Sequence, residues 1–332
     1  MRFLVIGLGS MGKRRLRNLL HQRIAKKNIA GFDISAKRAQ AVTTETGIST
    51  FTDFKTALKV FKPEAFIIST PPNLHKEYFL YAAKHNLHFF VEVTTTDDGY
   101  KELKKLVPKM TAVAAPSCTY RFFTPIKELR RIVSSGEVGR VQAFTHHFGQ
   151  YLPDWHPWED YRQFYVSQPE TSVGREMVPF ELQWLQWVLG EKIEEMQGFR
   201  AKCSDLELSI PDTYSVTVRG QSIVGTVLVD VISRAPFRTL RILGSEGVVE
   251  WEWMKQTIRV YSSTTKKWKT ITVKNGVKSK GYTTSTEDMY QDEMGAFIKA
   301  IKGTKKYPYT FGEDQHTLTL LNQMESARER LW

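Results

Sequence analysis

Short apolar runs alternate with amphipathic stretches along the first third of the chain. Phe3–Ile6, Ile29–Phe32, Ala65–Ile68 and residues 89–91 read as buried strands, while residues 11–20, 36–45 and 74–85 carry apolar side chains at helical spacing. Residues 94–98 (Thr-Thr-Thr-Asp-Asp) offer hydroxyl and carboxylate caps to a further helix running towards Leu106. Strands that alternate with helices need right-handed crossovers, so this pattern predicts a doubly wound α/β domain, a parallel sheet covered on both faces.

After Pro116 the rhythm changes. A helix over residues 125–135 ends at Ser134-Ser135-Gly136, and a long amphipathic helix covers residues 176–189. From Val141 onwards the remaining chain favours strands, with runs rich in β-branched and aromatic residues at 214–218, 223–231, 239–243, 248–253, 258–261 and 269–273. Strands in direct succession build a mainly antiparallel sheet with one face open for packing or pairing. Helices over 290–302 and 313–331 close the chain. The expected division is a doubly wound domain over residues 1–119, of the dinucleotide-binding Rossmann type, and an α+β domain over residues 120–332 for substrate binding and oligomerisation.

Composition narrows the class. The 332 residues are 41% hydrophobic and 25% charged, enough apolar material for two cores. No run has the length a membrane span needs, and the opening residues are unlike a signal peptide, so a soluble, unprocessed, cytoplasmic protein is expected. Cys118 and Cys203 are too few for a disulfide framework and have no zinc-site spacing. Basic residues number 47 against 35 acidic, a net charge of +12. Up to residue 109 the count is 19 against 9, and beyond it 28 against 26. A basic first domain fits a phosphate-bearing cofactor, and a merely soluble basic surface gives the same count.

Gly7-Leu8-Gly9-Ser10-Met11-Gly12 follows a strand and opens a helix. In that context the first glycine permits a tight turn, the second lets backbone approach a pyrophosphate, and the third lets helix and strand pack closely. Asp33, 21 positions beyond Gly12, ends the second strand where a carboxylate accepts hydrogen bonds from an adenosine ribose, which favours NAD over NADP. Lys37 and Arg38 keep NADP open, and Lys13, Arg14 and Arg15 add local positive charge.

These segments together resemble the glucose-fructose oxidoreductase, inositol dehydrogenase and MocA (Gfo/Idh/MocA) family of nicotinamide-dependent dehydrogenases over nearly the whole chain. Residues 68–75 (Ile-Ser-Thr-Pro-Pro-Asn-Leu-His) are similar to the family's cofactor-side strand and loop, and Tyr120-Arg121-Phe122 and residues 136–141 (Gly-Glu-Val-Gly-Arg-Val) to the start of its second domain. The resemblance implies cofactor contacts from Gly7, Gly9, Ser10, Met11, Gly12, Asp33, Ser69, Thr70, Pro71, His75 and Glu92. It also implies an open second-domain sheet through which a homo-oligomer forms. Residues 149–161 (Gly-Gln-Tyr-Leu-Pro-Asp-Trp-His-Pro-Trp-Glu-Asp-Tyr) are similar to members associated with surface-polysaccharide and sialic-acid-like sugar biosynthesis. Aromatic rings beside His and Asp suit a carbohydrate, and equally a packed aromatic loop or a subunit contact.

The chain departs from the family at its proton-handling positions. Glu92-Val93-Thr94 stands where members usually carry Glu-Lys-Pro, and Val93, on the substrate side, has no proton to exchange. The Asp and His that lie four positions apart on a helix in the family appear as Glu176 and Phe180; Gln183 replaces another common Asp, and Glu181 remains. Candidates for the missing acid or base are Glu176, foremost, then His156, Tyr120 and Tyr161. Arg121 and Trp155 are candidates for substrate binding, Arg121 for a carboxylate or phosphate. Two readings follow: an NAD(P)-dependent oxidoreductase acting on a sugar or sugar nucleotide with an atypical proton donor, or a catalytically degenerate relative that binds the nucleotide for sensing or scaffolding.

Other features carry less. His146 and His147 are adjacent on a strand and face opposite ways, so they cannot chelate one ion, and no metal site is expected. Lysines 266, 267, 269, 274, 278 and 280, interleaved with Trp268 and Tyr282, read as protection of a sheet edge rather than a nucleic-acid surface.

Overall fold

The computed structural model describes residues 1–157, 159–274, 276 and 286–329. Trp158, Lys278, Lys280, Tyr282 and Leu331 lie outside the described residues. The chain forms two compact units, Met1–Thr119 with Tyr290–Gln315, and Tyr120–Met289 with His316–Trp332.

In the first unit the elements run β1 (Phe3–Ile6), α1 (Ser10–His21), β2 (Ile29–Phe32), α2 (Ala36–Thr46), β3 (Ser49–Phe51), α3 (Phe54–Phe61), β4 (Ala65–Ile68), α4 (His75–Lys84), β5 (His88–Val91), α5 (Tyr100–Leu106) and β6 (Ala114–Pro116). All six strands are parallel, in the order β3-β2-β1-β4-β5-β6. β1, β2 and β4 are buried at every position, as expected of strands covered on both faces. β3 and β6, three residues each, lacked an apolar run long enough to announce them. α5 corrects the expected cap. Gly99 takes the N-cap with φ +80°, without a side-chain cap, while Thr94 bonds Asp314 and Asp98 pairs with Lys76 at 2.8 Å.

The second unit contains α6 (Thr124–Ser134), β7 (Val141–Gly149), α7 (Val173–Leu189), β8 (Ile193–Ala201), β9 (Thr213–Gly220), β10 (Val224–Asp230), β11 (Phe237–Gly244), β12 (Gly247–Glu252), β13 (Thr257–Ser262) and β14 (Lys267–Thr272). They form a sheet ordered β14-β13-β12-β11-β7-β10-β9-β8, antiparallel except where β7 meets β10. The expected fold is present in both units. α7 starts at Val173, earlier than the apolar pattern suggested, and Gly174 in its first turn lets the Tyr214 ring lie against the helix: a Cβ there would sit 1.9 Å from it.

α8 (Glu287–Ile301) and α9 (Phe311–Glu329) cross the division between units. Residues 290–315, assigned by sequence to the second domain, belong with the first, because Met294, Phe297 and Ile298 pack with Phe3, Val5, Leu16 and Leu19. No helix among the described residues is long and apolar enough to cross a membrane.

Strand register organises the outward face of the second sheet into rows. Val224, Ala143, Leu243, Val248, Tyr261 and Trp268 are successive partners across six strands. Two residues further along, Thr226, Thr145, Arg241, Glu250, Arg259 and Thr270 form a polar row. The apolar row is open to solvent at Val224 (49%), Leu243 (39%) and Trp268 (39%).

Candidate functional site

The β1–α1 turn of the first unit is built by the absence of side chains. Gly7 has φ +86°, and a Cβ on it would lie 2.7 Å from the Ser69 carbonyl oxygen; one on Gly12 would lie 1.8 Å from the Gly7 carbonyl oxygen. Packing therefore demands both glycines. Gly9 is different: a Cβ there meets nothing within 4 Å. It is also the N-cap of α1, which has no side-chain cap and no acidic residue in its first turn, and Ser10 beside it is exposed. An open backbone cradle at the positive end of a helix dipole is what a pyrophosphate requires.

Asp33 is buried at the end of β2. Its carboxylate accepts from Leu8 N and Ser35 N, both at 2.8 Å, and from Arg38 Nε at 2.9 Å. Burial opposes ionisation, but the Arg38 hydrogen bond and the two N–H groups outweigh it and hold the carboxyl below its ordinary value. Ile34, next in the chain, is 77% exposed. The basic run on α1 does not face outward as its sequence suggested. Arg14 and Arg15 are buried, Arg14 lying 4.3 Å from the Tyr290 ring centre, and Lys13 pairs with Glu45 at 3.4 Å.

The β4–α4 loop lies against this turn, with Ser69 N donating to Ile6 O at 2.7 Å. Pro71 is exposed, and His75 beneath it is buried. Burial pushes the imidazole down to about 4, so it is neutral and its Nε2–H donates to Thr70 O at 2.8 Å. Ser69 Oγ, Thr70 Oγ1 and His75 Nδ1 are buried with no hydrogen-bond partner among the described residues. Orphaned polar atoms beside an open glycine cradle fit a polar ligand rather than a packed core.

Residues at the end of β5 are clamped instead. Glu92 accepts from Arg15 at 2.6 and 3.0 Å, and Arg15 also donates to Glu293 at 2.7 Å. Burial raises the Glu92 carboxyl above its usual value, against the pull of Arg15. Thr94 donates to Asp314 at 2.7 Å. Val93, half-buried, sits between these two anchors.

In the second unit a buried hub forms behind α7. Glu181, fully buried, accepts from Arg238 at 2.7 and 3.1 Å and from Trp184 Nε1 at 2.9 Å, and lies 2.9 Å from His146 Nε2. Burial would raise its carboxyl, but Arg238 and His146 prevail and hold it down at about 2. Arg238 also donates to the Tyr120 hydroxyl, and Phe180 meets the Tyr120 ring edge-on at 4.9 Å. Arg121 is buried, donates to Gln183 O at 3.4 Å and lies 5.9 Å from the Trp187 ring centre. Glu176 stands in the first turn of α7. Its neighbour Arg175 is held by Glu325 and by Asn322.

The aromatic loop gathers Trp155, His156 and Tyr161 with Leu152, Glu159 and Phe164 around a narrow recess. His156 Nδ1 lies 3.0 Å from Glu159, its ring stacks 4.5 Å from Phe164, and the Tyr161 hydroxyl accepts from Glu207 N at 3.2 Å. Trp155 Nε1 is buried without a hydrogen-bond partner among the described residues. The four candidate acid or base residues thus occupy three places in this unit: Tyr120 in the hub, Glu176 at the start of α7, and His156 with Tyr161 in the recess. His146 and His147 do face opposite ways, His147 reaching Asp230 at 2.7 Å. Sequence reading missed Arg238, Glu293 and Asp314, since nothing local marks a partner that lies 57 positions away for Arg238 and 220 or more for Asp314 and Glu293.

Residues 1–116 match the family model described as an oxidoreductase family with NAD-binding Rossmann fold, and residues 126–250 match the GFO/IDH/MocA C-terminal domain. The chain belongs to the Gfo/Idh/MocA oxidoreductase family. No curated protein matches it. Solved structures share the family fold at low identity. An oxidoreductase from Agrobacterium radiobacter in complex with NAD+, L-tartaric acid and magnesium has TM-score 0.84 at 14% identity, covering 98% of this chain and 95% of that one. Levoglucosan dehydrogenase in complex with NADH and levoglucosan has TM-score 0.81 at 15% identity, with 99% and 97% covered. The WlbA dehydrogenase from Bordetella pertussis in complex with NADH and UDP-GlcNAcA has TM-score 0.78 at 17% identity, with 99% and 97% covered.

Proposed function

We propose that this Gfo/Idh/MocA chain is an NAD-dependent oxidoreductase acting on a hydroxyl or carbonyl group of a sugar or sugar nucleotide in the cytoplasm. The observation that carries the reading is the open space over Gly9, between two glycines that packing demands. It supports a pyrophosphate on the α1 N-terminus, with Ser10 and Met11 alongside and with Ser69, Thr70, Pro71 and His75 lining the other wall. Asp33 and Ile34 support NAD over NADP: an ionised carboxylate repels a 2′-phosphate, and an exposed isoleucine beside it gains by covering an adenine face. The bound nicotinamide supplies or accepts the hydride. The sugar class is supported by the ligands in the levoglucosan dehydrogenase and WlbA structures.

Proton exchange falls to a residue other than the usual Lys and His. Glu176 is the favoured group, because its carboxyl stands on α7 four residues before Phe180, one turn from where the family carries its histidine. Tyr120, His156 and Tyr161 are the alternatives, with Arg121, Trp155 and Val93 shaping the substrate side. The apolar row across the second sheet supports a homo-oligomer formed through that face.

Calorimetric titration with NADH and NADPH, followed by absorbance assays with a panel of keto-sugars and nucleotide sugars, tests the reading. The expected result is tighter binding of NADH, a preference that Asp33→Ser weakens, and turnover of at least one sugar. No heat with either coenzyme would overturn it. A second reading, a degenerate relative that binds the nucleotide without turnover, is favoured by Val93 and Phe180, neither of which can exchange a proton. Binding without turnover across the panel would select it.

A further inference from the structure

The strand order of the first unit reverses between β1 and β4. A dinucleotide bound across such a reversal lays its adenosine half over the ends of β1, β2 and β3 and its other half over the ends of β4, β5 and β6. The two halves of this site are held in different ways. The adenosine half is local: Asp33 is fixed by Leu8, Ser35 and Arg38, all within the first 38 residues. The other half is fixed from the far end of the chain.

Glu293, on α8, is fully buried and takes hydrogen bonds on both oxygens, from the segment that follows β6, from Arg15 on α1 and from Tyr307. One oxygen accepts from Ser117 Oγ at 3.2 Å, Cys118 N at 2.6 Å and Tyr307 Oη at 3.3 Å; the other from Thr119 Oγ1 at 2.8 Å and Arg15 at 2.7 Å. Through Arg15 the same network grips Glu92. Asp314, at the start of α9, accepts from Thr94 Oγ1 at 2.7 Å, Tyr100 Oη at 2.5 Å and Tyr309 Oη at 3.0 Å. Both neighbours of Val93 are therefore tied to carboxyl groups supplied some two hundred residues later.

We propose that Glu293 and Asp314 are positioning residues for the nicotinamide end of the dinucleotide site, fixing the backbone on either side of Val93. The inference rests on the dinucleotide reading above. Docking alone does not call for these groups: α8 already buries Met294, Phe297 and Ile298 in the first core, and apolar side chains would serve that purpose without desolvating carboxylates. A fully bonded buried network adds a single fixed geometry, and here that geometry lies at the ends of β5 and β6. Burial holds the Asp314 carboxyl above its usual value, against the pull of its three hydroxyl donors.

Binding of NADH and of ADP-ribose, which lacks the nicotinamide ring, separates positioning from general support. In the full chain, Glu293→Gln and Asp314→Asn are expected to weaken NADH by about tenfold and Thr94→Val by about threefold, with ADP-ribose changed by less than about twofold. Unchanged NADH affinity would overturn the inference. So would equal losses with both ligands, since loosening of the whole unit weakens both halves alike. Thr94→Val and Ser117→Ala each remove one hydroxyl and carry the same test if a carboxyl variant fails to fold. A wild-type chain that binds neither ligand overturns the dinucleotide reading, and this inference with it.

Discussion

At the β1–α1 turn the chain removes side chains so that backbone N–H groups can meet a ligand; behind α7 it does the opposite, closing Glu181, Arg238, His146 and Tyr120 on one another. Both places are polar and lie beside a core. The first keeps its hydrogen-bonding capacity open, with nothing within 4 Å of a Cβ on Gly9. In the second, one carboxylate meets Arg238, His146 and Trp184 together. Polar groups with open space before them point to binding, whereas polar groups satisfied by one another point to fixed geometry.

The sharpest way to break this contrast is to open the hub. Arg238→Met leaves Glu181 buried beside a neutral chain, and removing one partner of a buried pair costs about 3–5 kcal/mol. The expected outcome is a loss of that size in the second unit's unfolding transition, followed by denaturant titration. Replacing both partners, with Glu181→Leu added, should recover part of it: no carboxylate is then left buried without its cation, but Trp184 Nε1 and His146 Nε2 lose their shared partner. A single-variant loss below about 1 kcal/mol would mean that the hub is open to water rather than closed, against the expectation for a buried pair.

His75 tests the other side of the contrast by pH. Its imidazole is buried neutral, with the folded value near 4 against 6.5 unfolded. Because the folded value is depressed, the stabilisation is complete above pH 6.5 and is lost as the pH falls from there towards 4, where the unfolded chain binds the proton first. The lost contribution is about 3.5 kcal/mol at most, since each pKa unit corresponds to about 1.4 kcal/mol. Calorimetric melts of the first unit between pH 7 and pH 4 should show this fall, and His75→Gln should flatten it. An equally steep fall in His75→Gln would assign it to other groups.

The same contrast decides what could be read from the residues alone. The glycine turn is written in six consecutive positions, and Asp33 falls where strand periodicity ends β2, so the cradle is legible. The parallel sheet is legible too, because fully buried strands such as Phe3–Ile6 must be apolar throughout. The hub is not. Arg238 sits on a strand whose alternation alone marks it as inward, and only the fold brings it to Glu181, 57 positions away. The Thr94–Asp98 run shows the opposite failure: good capping residues were present, but Gly99 next to Lys76 and Phe79 supplied the helix start, and Thr94 was drawn to Asp314 across 220 positions. Local grammar gives way wherever a distant partner offers a better hydrogen bond.

Gly9→Ala refines the comparison with the smallest change. Its φ is −71°, a value any residue adopts, and the added methyl meets no protein atom within 4 Å, so folding should tolerate it. The methyl would instead occupy the space a pyrophosphate needs above the first turn of α1. The expected outcome is an unchanged melting temperature with NADH affinity weakened by about tenfold or more, equivalent to about 1.4 kcal/mol. Gly12→Ala is the control, since its methyl would strike the Gly7 carbonyl oxygen at 1.8 Å and should lower stability and binding together. If Gly9→Ala binds NADH as the wild type does, the space above the turn is not where the dinucleotide lies, and an open polar cradle in this fold would no longer be evidence of a ligand.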